Sequence, residues 1–269
     1  LYKKQNKIKE AMNNYEKGIK LNSNIPEIKK GKGLILLSQK KYEEAWEYFE
    51  NRIFSGQNKG LLFSTIKNNL FLGNKIDNSK KLVIVSEQGI GDKILFSSFY
   101  PDLLKLKIDT KFLIDSRLEK IFKRSFGNYE YININNIEKI KELVKENHQF
   151  IYAGSLGKFF RNKIIKFNGN AFLKPDKEKV LRYKSILKGY NYEKYIGISW
   201  KSSSKFSDKK SFYIDDFDSI IKEKDYGIIN LQYGDLKDLN EYNLKSEKKI
   251  IQINDLDLFN DIDSTIALI

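Results

Sequence analysis

"VSEQGIGDKILFSSFYP", residues 85–101, decides how the rest of the chain is read. It joins the apolar run "KLVIVS" to a segment of helical spacing and puts two glycines and an aspartate in the turn between them. An apolar run, a glycine-bearing turn and an amphipathic helix open an α/β unit. Three more strand candidates follow, "TKFLID", "YEYININ" and "QFIYAG", alternating with helical patterns such as "DKILFSSFYPDLLK" and "SRLEKIFKRSF". Such alternation predicts a parallel sheet with crossover helices. The helical stretch "LKPDKEKVLRYKSILKGYN" then precedes a second series, "YIGISW", "YGIINLQ" and "KIIQIN". Two α/β halves of this kind are expected to form a cleft facing the carboxyl ends of their strands.

The turn admits three readings. A dinucleotide loop would be G-x-G-x-x-G with glycines at 89, 91 and 94, but position 94 is Ile94; Asp115, at the end of the next strand, would suit the ribose contact. In the second reading the glycines only let the chain reverse. In the third, Asp92 stands in the first helical turn above the strand ends, where glycines allow close approach and a carboxylate can deprotonate a hydroxyl. A Walker loop is excluded because no G-K-[ST] follows.

Ahead of residue 80 lies a repeat. "KIKEAMNNYEKGIKLNSNIPE" and "KYEEAWEYFENRIFSGQNKG" align Ala11 on Ala45, Tyr15 on Phe49 and Gly18 on Arg52, and Gly33 falls where a paired helix packs closely. The pattern resembles the tetratricopeptide repeat, although Arg52 replaces its second small residue and Pro26 is displaced from the usual position. "GLLFSTIKNNLFLG", residues 60–73, is expected to cap the helices, and "NKIDNSKK" to be a polar linker. Two repeat units bury little surface, so the chain reads as a fragment of a longer array.

Composition narrows the chemistry. The 269 residues contain no Cys and one His, His148, which excludes thiolate and multi-histidine metal sites. The net charge of +14 comes from 49 basic residues, of which only Arg52, Arg117, Arg124, Arg161 and Arg182 are arginine. Because Arg is the better reader of bases and phosphates, we read the charge as an incidental basic surface rather than nucleic-acid binding. No apolar stretch is long enough to span a bilayer, and no signal peptide is apparent; the expected location is cytoplasmic.

"SEQGIGDKILFSSFYPDLL" resembles the E-Q-G-x-G-D-x-[IL]-x-[FL]-x-x-[YF]-x-P-x-L segment of bacterial tetratricopeptide-repeat glycosyltransferases. These are related to lipopolysaccharide heptosyltransferases and distantly to protein O-GlcNAc transferases. The resemblance implies a metal-independent, inverting GT-B enzyme made of two Rossmann-like halves. Asp92 becomes the base, and Glu87, Gln88, Gly89 and Gly91 shape the acceptor side. "GISWKSSSKFSDKKSFYIDDF" resembles the segment that opens the nucleotide-sugar half, which puts Lys201, Ser202, Ser203, Lys210 and Ser211 on the donor diphosphate. Lys210 stands for the family's Arg, and Ser202 for its glycine. "IINLQYGD" resembles the F-x-S-L-Q-x-G strand end, which gives Gln232 to the base or ribose, and "DLFNDIDSTIALI" resembles D-x-x-D-T-A-A-[LI]-I. A further donor loop of the family lies beyond this last motif, so the 269-residue chain is expected to be inactive by itself.

The expected organisation is therefore tetratricopeptide-like helices over 1–75, an acceptor half over 80–172, a linker helix over 173–194 and an incomplete nucleotide-sugar half over 195–269. Expected partners are a nucleotide-sugar donor, which is a substrate and not a cofactor, and a glycan or protein acceptor reached through the repeats. The alternative is a repeat-based interaction scaffold with a degenerate transferase-like domain. His148 reads as a surface residue, Trp46 as packing between repeat helices, and Trp200 as either core or ligand contact.

Overall fold

The computed structural model describes residues 7–56, 60–76, 79–202 and 210–269. The chain divides into two compact units, Leu1–Phe172 and Leu173–Ile269. The first begins with three helices, α1 (Ile8–Leu21), α2 (Pro26–Ser38) and α3 (Tyr42–Phe49), the last continued by a 3-10 turn at Glu50–Phe54. Small residues set how closely they pack. A Cβ on Gly33 would lie 2.7 Å from the Phe49 backbone nitrogen, and one on Gly31 would meet the Tyr15 ring at 2.5 Å. Ala11 and Ala45, aligned in the sequence repeat, are both buried.

The rest of this unit is a sheet covered on both faces. Its elements are α4 (Leu61–Ile66), β1 (Leu82–Val85), α5 (Ile90–Ser97), α6 (Tyr100–Leu104), β2 (Thr110–Ile114), α7 (Glu119–Phe126), β3 (Glu130–Asn133), α8 (Ile137–Lys145), β4 (Gln149–Tyr152) and α9 (Leu156–Phe160). All pairings are parallel in the order β3-β2-β1-β4, with Leu82 opposite both Thr110 and Gln149. All four residues of β1 are buried, as expected of a central parallel strand packed on both sides. One face packs Val83, Val85, Leu113 and Phe150 against Ile140 and Leu143 of α8. Elsewhere in the unit the Tyr100 ring meets those of Phe112, Phe126 and Phe122 at 4.9, 5.3 and 5.8 Å.

Residues 60–73 do more than cap the helices. They touch the end of the helical segment, with Phe63 6.3 Å from the Phe54 ring and Ile66 in one core cluster with Ile53, and they also join the sheet layer: that cluster includes Val83 and Phe150, and Phe71 donates a backbone hydrogen bond to Phe150 at 2.8 Å. An amphipathic segment beside a sheet buries more apolar surface there than at the end of a short helical stack.

The second unit contains α10 (Lys177–Lys188), β5 (Lys194–Ile198), α11 (Asp218–Ile221), β6 (Tyr226–Asn230), α12 (Lys237–Lys245) and α13 (Ile262–Leu268). β5 and β6 are parallel. "KIIQIN" supplies only a bridge at Ile251, whose backbone exchanges bonds with Ile228 and Asn230 at 2.7 and 2.8 Å. Ile198, Trp200, Ile228, Leu239 and Tyr242 form one core cluster, while Tyr183 of α10 packs with Ile251, Ile253 and Ala267 in another.

Candidate active site

The turn after β1 carries the residues singled out by the sequence, and the structure separates them. Gln88 and Gly89 are exposed, Asp92 is half-buried, and Glu87 points inward with only 4% of its surface accessible. Gln88 has a left-handed backbone, φ 64°, unusual for a residue with a Cβ. Gly89, by contrast, has an extended conformation at the N-cap of α5, open to any residue. A Cβ on Gly91 would meet nothing within 4 Å. Neither glycine is therefore required by the fold, and Gly91 in the first turn of a helix carries a penalty of about 0.5–1 kcal/mol relative to Ala. The space they leave is outside the protein, at the carboxyl end of the central strand.

Asp92 is the third residue of α5, and its Oδ2 accepts a hydrogen bond from the Gly89 backbone N–H at 3.3 Å. That bond is long and uses one lone pair, and the carboxylate has several other acceptor positions. Asp115, the ribose candidate of a dinucleotide reading, is occupied: Arg117 grips it with bonds of 2.9 and 2.8 Å, and Lys93 reaches it at 3.1 Å. The Arg117 bonds, with Lys93 adding to them against the effect of burial, hold its carboxyl well below the usual range. A carboxylate clasped by two cations has little left for a ribose hydroxyl.

Glu87, expected on the acceptor side, is instead an internal anchor. Its two oxygens receive Arg52 Nε at 2.9 Å and Nη2 at 2.7 Å, and Oε1 also accepts the Gly154 backbone N–H at 2.9 Å. Arg52 further donates to Ser155 Oγ at 3.0 Å and Glu50 at 2.8 Å, with its guanidinium 4.5 Å from the centre of the Phe49 ring. Burial works against the charge on Arg52, but Glu87 and Glu50 overcome it and hold the guanidinium firmly protonated. The neighbouring Tyr152 hydroxyl is pushed up to about 12, chiefly by burial and also by the Glu87 charge. Gly154 must stay small, since a Cβ there would lie 2.9 Å from both Arg52 Nη2 and Glu87 Oε1. The residue that breaks the repeat pattern thus ties the helices to the start of the turn. Its signal in the sequence was an arginine at a position otherwise filled by a small residue.

Trp46 makes the same connection. It packs against Phe99 as well as Phe49, donates Nε1–H to the Arg161 carbonyl at 2.8 Å, and leaves room for Gly157 only as glycine, since a Cβ there would meet the indole at 2.4 Å. Its role is docking the helices on the sheet unit, not only packing among them. His148 is buried, not superficial; its Nδ1 lies 3.2 Å from the Leu143 carbonyl at the end of α8.

In the second unit the loop after β5 is closed at its base. Phe212 N–H donates to the Trp200 carbonyl at 2.9 Å, and Ser202 N–H to Ser211 Oγ at 3.0 Å. Ser203 lies outside the described residues, while Lys210 is exposed. Lys201 pairs with Asp238 in the first turn of α12, and its ammonium is held above the usual lysine range by that bond. Gln232, buried, is a clasp. Its Oε1 accepts Ser199 Oγ–H at 3.0 Å and the Trp200 and Lys201 N–H groups at 3.1 and 2.8 Å, while Nε2 donates to the Tyr233 carbonyl at 2.9 Å. Trp200 is a core residue, 2% exposed.

Two concavities adjoin this loop. Lys201, Ser202 and Ser211 stand at one end of an open groove of about 1340 Å³ that continues past Tyr213 and Asp218 to Lys248. A smaller cavity of about 170 Å³ at the carboxyl end of β6 is bounded by Gln232, Tyr233, Gly234 and Phe259, with the Tyr233 and Phe259 rings 5.4 Å apart. Gly234 has φ 91°, which favours glycine.

No family model matches this chain, and no solved structure matches it. Protein FlbA of Caulobacter vibrioides is 27% identical to it over 254 residues, covering 87% of this chain and 42% of the relative. The chain thus spans about two fifths of the length of the curated relative it matches. Among the described residues no helix is long and apolar enough to cross a membrane.

Proposed function

We propose that the protein is a metal-independent, inverting glycosyltransferase of GT-B type, carrying tetratricopeptide-like helices before its catalytic halves. The observation that carries this reading is the pair Gly89 and Gly91. Neither backbone conformation nor packing calls for glycine at these places, whereas a sugar hydroxyl approaching Asp92 does. Asp92 takes the proton of the acceptor hydroxyl as its oxygen attacks the anomeric carbon, and the bond from that carbon to the diphosphate breaks with inversion. Lys201, Lys210, Ser202 and Ser211 stabilise the negative charge of the departing diphosphate. Gln232 orders the donor loop from beneath instead of touching the ligand, and the small cavity beside it suits a nucleoside base against Tyr233 or Phe259. The helices present the glycan or protein acceptor.

A transfer assay with the full-length protein tests the reading. Asp92→Asn keeps the helix-capping acceptor and loses the base; turnover is expected to fall at least a hundredfold, and an unchanged rate would remove Asp92 from the chemistry. One observation favours the scaffold alternative: Lys201 is already neutralised by Asp238. A scaffold would show no saturable binding of nucleoside diphosphates.

A further inference from the structure

Residues 163–167, "KIIKF", are exposed without a break, and among them Ile164, Ile165 and Phe167 keep 59%, 86% and 43% of their surface in solvent. Loose packing does not explain this. The turn follows α9 and closes on itself, with Lys166 N–H bonded to the Lys163 carbonyl and Phe167 N–H to the Ile164 carbonyl, both at 3.0 Å. Its base is fastened by Arg161, which is buried, receives the Trp46 indole on its carbonyl and grips Asp102 at 2.7 Å. The Phe167 ring rests on Tyr42 at 4.6 Å. A rigid stalk thus holds two isoleucines outward, an arrangement that burial alone would oppose.

The charge along this stretch of the sequence is one-sided. Residues 147–175 include no Asp or Glu, while Lys158, Arg161, Lys163, Lys166 and Lys174 all fall within them. In a chain with 35 acidic residues among 269, a run of this length would ordinarily hold about four. Lys158 and Arg161 are matched by Glu47 and Asp102 from other segments, whereas Lys163 and Lys166 stand exposed beside the isoleucines.

We propose that this turn is a membrane-surface anchor. Ile164 and Ile165 enter the interfacial layer of an anionic bilayer, and Lys163 and Lys166 meet its headgroups. Apolar tips flanked by lysine suit a lipid surface, where adhesion grows with buried apolar area and with each nearby cation. A protein partner fits less well, because protein interfaces favour Arg over Lys and need about 800 Å² on each side, more than a five-residue turn offers. This anchor is independent of the transferase reading and stands or falls separately.

Co-sedimentation of the 269-residue chain with phosphatidylcholine vesicles, with and without 30% phosphatidylglycerol, tests it. Binding is expected to the anionic vesicles, to weaken sharply in 0.5 M salt, and to be slight on neutral ones. Ile164→Ser with Ile165→Ser should weaken binding about tenfold or more, and Lys163→Gln and Lys166→Gln about fivefold each. These side chains are exposed, so the fold, checked by circular dichroism, is retained. An Ile165→Trp reporter should shift its emission to the blue on anionic vesicles. Wild-type binding by the Ile164→Ser, Ile165→Ser variant would overturn the proposal, leaving only diffuse attraction of the net charge. So would absence of vesicle binding, and self-association abolished by the same variant would reassign the tip to contact between copies of the chain.

Discussion

The turn after β1 and the loop after β5 occupy equivalent places in their units, at the carboxyl end of a parallel strand, yet they are fastened differently. The first is held by a buried ion pair, Arg52 with Glu87, reaching across from the helical layer. The second is held by a neutral amide, Gln232, reaching from the next strand end. A buried charge pair is unforgiving: intact it fixes one geometry, and with one member gone the other is stranded. An amide clasp exchanges several modest hydrogen bonds for water and yields more gradually. The difference predicts a rigid turn after β1 and a more adjustable loop after β5.

Breaking the first fastening should have the largest effect. Arg52→Met leaves Glu87 buried without its counter-ion and is expected to destabilise the first unit by about 3–5 kcal/mol in denaturant titrations. Combining it with Glu87→Leu should recover most of that loss, since the stranded charge is then removed. Gln232→Ala should cost about 1–3 kcal/mol, confined to the second unit, and amide exchange should quicken at Trp200 and Lys201, whose N–H groups lose their acceptor. Equal losses from Arg52→Met and Gln232→Ala would erase the distinction between the two.

Gly91→Ala sharpens the comparison from the other side. The added methyl meets open space in a helix, so stability should stay level or rise by about 0.5–1 kcal/mol, while transfer activity falls. A stability loss would show that the glycine serves the fold. The gentlest effect is expected from acid. Asp115 has a folded pKa depressed below its unfolded value of about 3.9, so its contribution is complete above that value and fades as the pH falls through the folded pKa. Asp115→Asn should therefore flatten the acid limb of the first unit's stability profile below about pH 4 and leave the second unit's unchanged.

Much of this architecture was legible in the sequence. The central strand β1 announced itself as a short apolar run, because a parallel strand covered on both faces must be apolar throughout, while the edge strand β3, with Glu130 and Asn133 exposed, was legible from its place between helical patterns. Asp92 was placed correctly in the first turn of its helix by the glycines before it. What could not be read was tertiary pairing. Glu87 looks like a site residue because it lies in a polar turn, and nothing local reveals that Arg52, 35 positions earlier, will bury it. Gln232 likewise looks available until the strand end it clasps is known. His148, polar and beside a helix end, gave no sign that its ring would be buried. "KIIQIN" has strand composition but keeps only a bridge, since its pairing is limited to a single position on β6.

The most direct measurement is a calorimetric titration of the full-length protein with ADP, GDP, UDP and CDP. A nucleotide-sugar transferase should bind at least one of them saturably at one site, and Lys210→Ala with Ser211→Ala should weaken that binding about tenfold or more. No saturable heat from any of the four, or binding indifferent to those substitutions, would contradict the transferase reading at its root.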